Sequence, residues 1–120
     1  MVVEDDPDVC PLLEHILAVA GYAVDTAATV AKAMRLLEGG AYDLVLADGE
    51  LPDGHGIRVA DESMRRGVRA LILTGCALRM SKDEVERHSF VMKPIRPSEL
   101  LEIVKRRLAA PQGSEKTGRR

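Results

Sequence analysis

The chain has 120 residues, enough for one domain with a buried core and no need of metal or disulfide staples. Apolar residues make up 46% and charged residues 30%, but with one Phe, two Tyr and no Trp the core must be aliphatic, which argues against a stacking platform for single-stranded nucleic acid. The net charge of -2, with both signs scattered, offers no basic field for gripping a phosphate backbone, and no apolar run is long enough to span a bilayer. Cys10 and Cys76 lie far apart and no secretory leader precedes them, so reduced thiols and a cytoplasmic location are expected.

Met1 to Val3 reads as a short first strand running into Glu4, Asp5 and Asp6. Pro7 and Asp8 open a helix in which Val9, Leu12, Leu13, Ile16, Leu17 and Ala20 recur at the spacing of one buried face; Gly21 ends it. Pro11 falls near the first turn, where a missing N–H costs little. Ala23 to Ala27 is a weak second strand, and Thr29 caps a helix packing through Val30, Ala33, Met34 and Leu37 that Gly39 and Gly40 close.

Leu44 to Ala47 is too short a run for a helix and stops at Asp48 before a turn dense in Gly, Pro and Asp, the pattern of a buried strand ending in a carboxylate. Ile57 to Arg66 is predicted helical, with Val59, Ala60 and Met64 for packing and Gly67 as the stop. Ala70 to Leu73 is a fourth strand ending in Thr74.

Between Gly75 and Ser89, Ser81 and Glu84 match a capping box, but Val85 is nearly alone as an apolar residue, so a short, loosely held turn of helix is predicted. Phe90 to Met92 is a fifth strand leading to Lys93-Pro94. Ser98 caps a last helix packing through Leu100, Leu101, Val104 and Leu108, with Lys105, Arg106 and Arg107 at the negative end of its dipole. Residues 1–110 are read as the folded domain and 111–120, polar and Gly-containing, as a disordered tail.

Strand and helix alternate five times over short connections, which with right-handed crossovers gives an α/β, doubly wound, five-stranded parallel sheet. In the flavodoxin-like order 2-1-3-4-5 the first and third strands are neighbours, so Glu4, Asp5 and Asp48 converge at the switch point. Three carboxylates there repel by about 4 kcal/mol per pair at 4 Å and an effective dielectric near 20, a repulsion that Mg²⁺ would relieve while leaving positions for phosphate oxygens. Lys93 adds a second positive group and Thr74 a hydroxyl, which together make a cradle for a phosphoryl group.

Val2-Val3-Glu4-Asp5-Asp6, Leu44 to Asp48 with Leu51-Pro52 and Gly56, Leu71 to Thr74, and Lys93-Pro94 together resemble the receiver domain of two-component response regulators, up to about Ala110. The resemblance implies a phosphoacceptor at Asp48 that attacks the phosphohistidine of a partner kinase in line. It implies Mg²⁺ held by Asp5, Asp48 and the backbone carbonyl of Glu50, with Glu4 acting through water. It also implies Thr74 and Lys93 on the phosphoryl oxygens, a cis Lys93–Pro94 bond, slow self-dephosphorylation, and a switch in which Thr74 and the aromatic Phe90 move together. A histidine kinase or phosphotransfer protein upstream and an unidentified protein downstream are the implied partners, without direct nucleic-acid or membrane binding.

Several residues depart from that pattern. His55 stands where the family often has Asp and is expected to face solvent; Glu50 and Cys76 flank the site at positions that in the family tune the lifetime of the phosphate. The segment between Thr74 and Lys93 is short, so a shortened or mobile fourth helix is expected. His15 and His88 read as surface or rim histidines of helices, and Gly54-His55-Gly56 lacks the third glycine of a dinucleotide loop, Val59 standing there. Two other functions compete: a pseudo-receiver that binds partners without phosphorylation, and a phosphohydrolase of the haloacid-dehalogenase type, whose Asp-x-Asp-x-Thr signature this chain replaces with Asp48-Gly49-Glu50-Leu51.

Overall fold

A computed structural model describes residues 1–75 and 81–109, the side chain of Val85 excepted. Cys76 and the expected tail at 111–120 therefore lie outside the described residues. The elements run β1 (Val2–Val3), α1 (Val9–Val19), β2 (Thr26–Ala27), α2 (Val30–Gly39), β3 (Leu44–Asp48), β4 (Glu50–Leu51), β5 (Gly54–His55), α3 (Gly56–Arg65), β6 (Arg69–Thr74), α4 (Lys82–Arg87), β7 (Ser89–Met92) and α5 (Pro97–Ala109). The main sheet is parallel with order β2-β1-β3-β6-β7, and β4 pairs with β5 as a separate antiparallel hairpin. Without that hairpin the order is the flavodoxin-like 2-1-3-4-5 that the sequence predicts.

Alternate strand residues feed two aliphatic cores, since successive side chains leave a strand on opposite faces. On one face Val3, Val45, Ala47 and Ile72 pack under α2 and α3; on the other Val2, Leu46, Leu71 and Leu73 pack under α1 and α5. β3 is buried on both faces up to its last residue, as a central strand of a covered parallel sheet must be. Asp48 is thereby the point at which the chain leaves the core.

The helices differ from expectation in four places. Leu12 is 54% exposed and Ala20 is exposed, because Leu13 and Leu17 already fill the narrow stripe of α1 that meets the sheet. Met64 of α3 is likewise exposed, and the small Ser63 is buried in its place, its hydroxyl donating to the Val59 carbonyl at 2.8 Å. α5 begins at Pro97, which suits a first helical position, so Ser98 lies inside the helix and is not its cap. His88 is not a rim histidine of a helix: it follows α4, is only 5% exposed, and its Nε2 lies 2.6 Å from Asp61 Oδ1 of α3.

α4 is six residues long and carries the expected capping box, Ser81 Oγ accepting from Glu84 N–H and Glu84 Oε1 from Ser81 N–H, both at 3.1 Å. Its far end is tied rather than loose: Arg87 forks onto Asp61, Nε to Oδ1 at 3.0 Å and Nη2 to Oδ2 at 3.1 Å. The tie is polar, so a reading of α4's apolar face does not detect it.

Candidate functional site

Each residue of the predicted cluster reaches the carboxyl edge of the sheet for a local reason. β1 ends at Val3, which puts Glu4 and Asp5 at its tip; Glu4 N–H still bonds back to the Ala27 carbonyl at 2.9 Å, holding the tip in register. Asp6 turns away to serve as the cap of α1, its Oδ1 accepting from the N–H groups of Asp8 at 2.8 Å and Val9 at 3.3 Å. Asp48 closes β3 opposite Leu73 of β6, which places Thr74 one residue beyond it. The Lys93 N–H continues the β6–β7 edge by bonding to the Thr74 carbonyl at 2.8 Å, and the Lys93–Pro94 peptide is cis.

The edge brings the acids together. Glu4, Asp5 and Asp48 each offer an oxygen within 4.8 Å of the others, with Glu4 buried, Asp48 half-buried and Asp5 exposed. Lys93 Nζ lies 3.2 Å from Asp48 Oδ1 and 3.4 Å from Glu4 Oε1. Burial pulls the Lys93 ammonium down, but the charges of Asp48 and Glu4 outweigh it and hold its pKa above the ordinary value. Glu4 is raised, first by burial and then by the Asp48 charge, against the opposing Asp6 N–H at 3.3 Å and Lys93.

The loop after Asp48 is held by two features. Gly56 N–H donates to the Gly49 carbonyl at 3.0 Å, and a Cβ on Gly56 would stand 2.0 Å from the Asp48 carbonyl oxygen, so only glycine allows this approach. Asp53, at the turn between β4 and β5, reaches across to α2 and accepts from Val30 N–H at 2.7 Å and Ala31 N–H at 3.0 Å, while Thr29 caps Lys32 at 3.0 Å. The sequence identifies Thr29 as that cap; Asp53, more than twenty residues away, carries no local sign of it.

The remaining candidates fall around this cluster. Thr74 is 4% exposed at the end of β6, and Glu50 opens β4 two residues past Asp48 with its side chain outward. Phe90 pairs with Ile72 and packs half-buried against the α2–α3 core, and His55 and His15 are exposed as expected. An all-oxygen set with three acids within 4.8 Å fits a hard divalent cation such as Mg²⁺, and Asp48 and Glu4 also face the Lys93 ammonium, so a further anion could be shared between the two positive groups.

A doubly wound α/β domain with an acidic cluster at its switch point, and a lysine reaching it from the end of β7, has its candidate site where ligands bind in this class of fold, beyond the carboxyl ends of the strands. Comparison with known proteins makes the class specific: residues 1–105 match the family model described as the response regulator receiver domain, and the chain belongs to that family. It is 30% identical over 112 residues to the transcriptional regulatory protein DltR of Streptococcus agalactiae, covering 89% of this chain and 50% of that protein. A 14.6 kDa protein of Leptolyngbya boryana is 31% identical over 111 residues, covering 87% of this chain and 85% of that one. Among solved structures, the regulator TrrA of Thermotoga maritima in complex with Mg²⁺ and BeF has a TM-score of 0.79 at 32% identity, covering 88% of this chain and 95% of that one. The receiver domain of the Pseudomonas aeruginosa sensor kinase PA1611, with magnesium in its active-site cleft, has a TM-score of 0.80 at 28% identity, covering 91% and 95%. The chain spans about half or less of the length of the first curated relatives it matches. Among the described residues no helix is long and apolar enough to cross a membrane.

Proposed function

We propose that residues 1–110 form a phosphoacceptor switch in which Asp48 takes a phosphoryl group from the phosphohistidine of a partner kinase or phosphotransfer protein. The observation that carries this reading is the position of Asp48, at the tip of the central strand with the Lys93 ammonium 3.2 Å from its Oδ1 and the Glu4 and Asp5 carboxylates within 4.8 Å. An Asp48 oxygen attacks phosphorus as the P–N bond to histidine breaks, giving an acyl phosphate and a free imidazole; attack by water later regenerates the carboxylate and releases phosphate. Asp5, Asp48 and the Glu50 carbonyl would hold Mg²⁺, with Glu4 acting through water. When bound, the ion neutralises charge on the phosphoryl oxygens and helps to orient them.

Lys93 is placed to pair with the phosphoryl oxygens once Asp48 no longer offers a free carboxylate, and the Thr74 hydroxyl would donate to them. That pull on the end of β6, with Phe90 repacking beside Ile72, is the proposed switch; lacking a hydroxyl, Phe90 acts by packing alone. The downstream partner is taken to be a protein, because a net charge of -2 with both signs scattered along the sequence gives little electrostatic drive towards a phosphate backbone.

Intact mass after incubation with a small phosphodonor and Mg²⁺ tests the proposal. One phosphoryl adduct is expected on the wild-type chain and none on Asp48→Asn. No wild-type adduct would favour the pseudo-receiver, and turnover of free phosphate esters would favour the hydrolase.

A further inference from the structure

The loop that carries the Glu50 carbonyl is a hairpin with little of its own to hold it. Its base is closed on β3 and β6: Gly49 N–H donates to the Leu73 carbonyl at 2.8 Å, and Gly56 N–H donates to the Gly49 carbonyl at 3.0 Å. Above that base β4 and β5 pair over two residues each, Glu50 opposite His55 and Leu51 opposite Gly54. An antiparallel pair that short does not keep its own shape in water, so the tip must be fixed from outside.

What fixes it is the first turn of α2. The apolar part is modest: Leu51 is buried in the same aliphatic core as Val30, and a Cβ on Gly54 would stand 3.4 Å from Val30 Cγ2, so the turn sits close against that side chain. The polar part is Asp53. Its two oxygens take two successive N–H groups, Val30 at 2.7 Å and Ala31 at 3.0 Å, which the helix itself leaves without partners at the positive end of its dipole. α2 is a firm anchor, since Val30, Ala33 and Leu37 are all buried.

α2 therefore has two caps of different reach. Thr29 Oγ1 accepts from Lys32 N–H at 3.0 Å and belongs to the helix alone. Asp53 belongs to the hairpin and joins the two. Glu50 lies between the closed base and this clamped tip. In the function proposed above its backbone carbonyl is a ligand of Mg²⁺, an ion that demands near-ideal octahedral geometry. The Asp5 and Asp48 carboxylates can rotate to meet the ion, whereas a carbonyl stands wherever the loop's backbone puts it.

We propose that Asp53 is a positioning residue for the metal: by clamping the hairpin tip to α2 it holds the Glu50 carbonyl in place for Mg²⁺, without touching the ion. The metal's place rests on the phosphoacceptor reading; the clamp is a property of the loop.

Thr29→Ala and Asp53→Ala test this, because each removes a cap from the same helix end and only the second releases the hairpin. Mg²⁺ is titrated into each chain by calorimetry at a temperature where wild type and both variants are folded. Thr29→Ala is expected to bind with wild-type affinity and Asp53→Ala about tenfold more weakly. Labelling of Asp48 by acetyl phosphate should be slowed in Asp53→Ala at limiting Mg²⁺ and return to about the wild-type rate at saturating Mg²⁺, since no reacting group has been removed. Equal affinity in the three chains would overturn the proposal. An equal loss in the two variants would overturn it too, by showing that the cap on α2 matters and the clamp does not. Exchange of the Gly56 amide hydrogen in the metal-free chain reads the loop alone, and is expected to quicken about tenfold in Asp53→Ala but not in Thr29→Ala. Unchanged exchange in Asp53→Ala would sink the clamp, whereas a wild-type chain that takes up no Mg²⁺ would sink the phosphoacceptor reading and the metal role with it.

Discussion

Replacing Gly56 by Ala is the sharpest test of how the site is built. The added Cβ would meet the Asp48 carbonyl oxygen at 2.0 Å, its carbon at 2.9 Å and Gly49 Cα at 3.3 Å, all backbone atoms that cannot rotate aside. Ordinary contact begins near 3.4 Å, so the turn must open by about 1.4 Å, the difference between 3.4 and 2.0. Opening it strains the bond from Gly56 N–H to the Gly49 carbonyl, worth about 1 kcal/mol, and overpacks a buried helix start at about 1–3 kcal/mol. A loss of about 2–4 kcal/mol lowers the melting temperature of a domain this size by roughly 10–20 °C. Because Asp48 itself is displaced, its phosphorylation by a small phosphodonor should slow about a hundredfold at a temperature where the variant is folded. Gly39→Ala is the control: nothing lies within 4 Å of its Cβ at the end of α2, and the exchange should be neutral or slightly stabilising. Denaturant melts and intact-mass time courses read both effects. A Gly56→Ala chain melting within about 2 °C of wild type and labelling at the wild-type rate would refute the close-approach argument.

Other perturbations separate charge from packing. Glu4 is raised above its ordinary pKa, so its ionisation weakens the metal-free fold: the stability tied to its neutral form is full below about pH 4.5 and lost as pH rises through the raised value. Metal-free Glu4→Gln should therefore be more stable than wild type at pH 7, on the order of 1 kcal/mol, with the gap shrinking towards pH 4; urea melts in chelator that show a less stable variant at pH 7 would contradict this. Asp53 is held below its ordinary pKa by the Ala31 and Val30 N–H groups, so its cap on α2 is present above pH 3.8 and fades as pH falls through the lowered value. Asp53→Ala should melt below wild type at pH 7, with the gap shrinking as pH falls below 3.8; a pH-independent difference would assign the effect to something other than the carboxylate. Tyr42 is pushed up from 10 to about 12, mainly by its hydrogen bond to Asp25, and the stability it carries is lost as pH rises between those values. Ultraviolet titration of Asp25→Ala should bring one phenol back towards 10, and an unchanged curve would rule out the bond in solution.

What the sequence made legible is what adjacent residues decide. The Ser81–Glu84 capping box, the Thr29 cap, the aliphatic run that ends at Asp48 and the inward stripe of Leu13, Leu17, Leu100 and Val104 all rest on spacings of a few residues, and the structure has them in place. The convergence of Glu4, Asp5, Asp48 and Lys93 was legible one step further out, because strand order fixes which strand ends are neighbours. The misses are pairings made across the fold. Asp53 caps a helix that precedes it by more than twenty residues, and His88 is buried by a bond to Asp61 rather than by an apolar face. The two-residue strands β4 and β5 hide within a turn-rich stretch. Ala23 to Ala27 reads as a strand, yet β2 is confined to Thr26 and Ala27, with the Asp25 carbonyl just before it accepting from Val2 N–H at 2.9 Å.

The two ends of the fifth-strand region are secured by different forces, and that difference bears on how a signal would leave the site. α5 is held by packed aliphatics, Leu100 and Val104 among them, whose burial does not depend on charge. α4 is held to α3 at its end by Arg87 and His88 on Asp61; the Arg87 pair is part-exposed and worth about 0–1 kcal/mol, while His88 is buried. Should Asp48 be phosphorylated as proposed, the pull on Thr74 and Phe90 acts on strands β6 and β7, which lie between these two anchors. The displacement will be taken up where the restraint is weakest and polar, on the α4 side, while α5 stays seated; a partner that distinguishes the two states therefore has most to read from the surface around Asp83, Arg87 and Asp61.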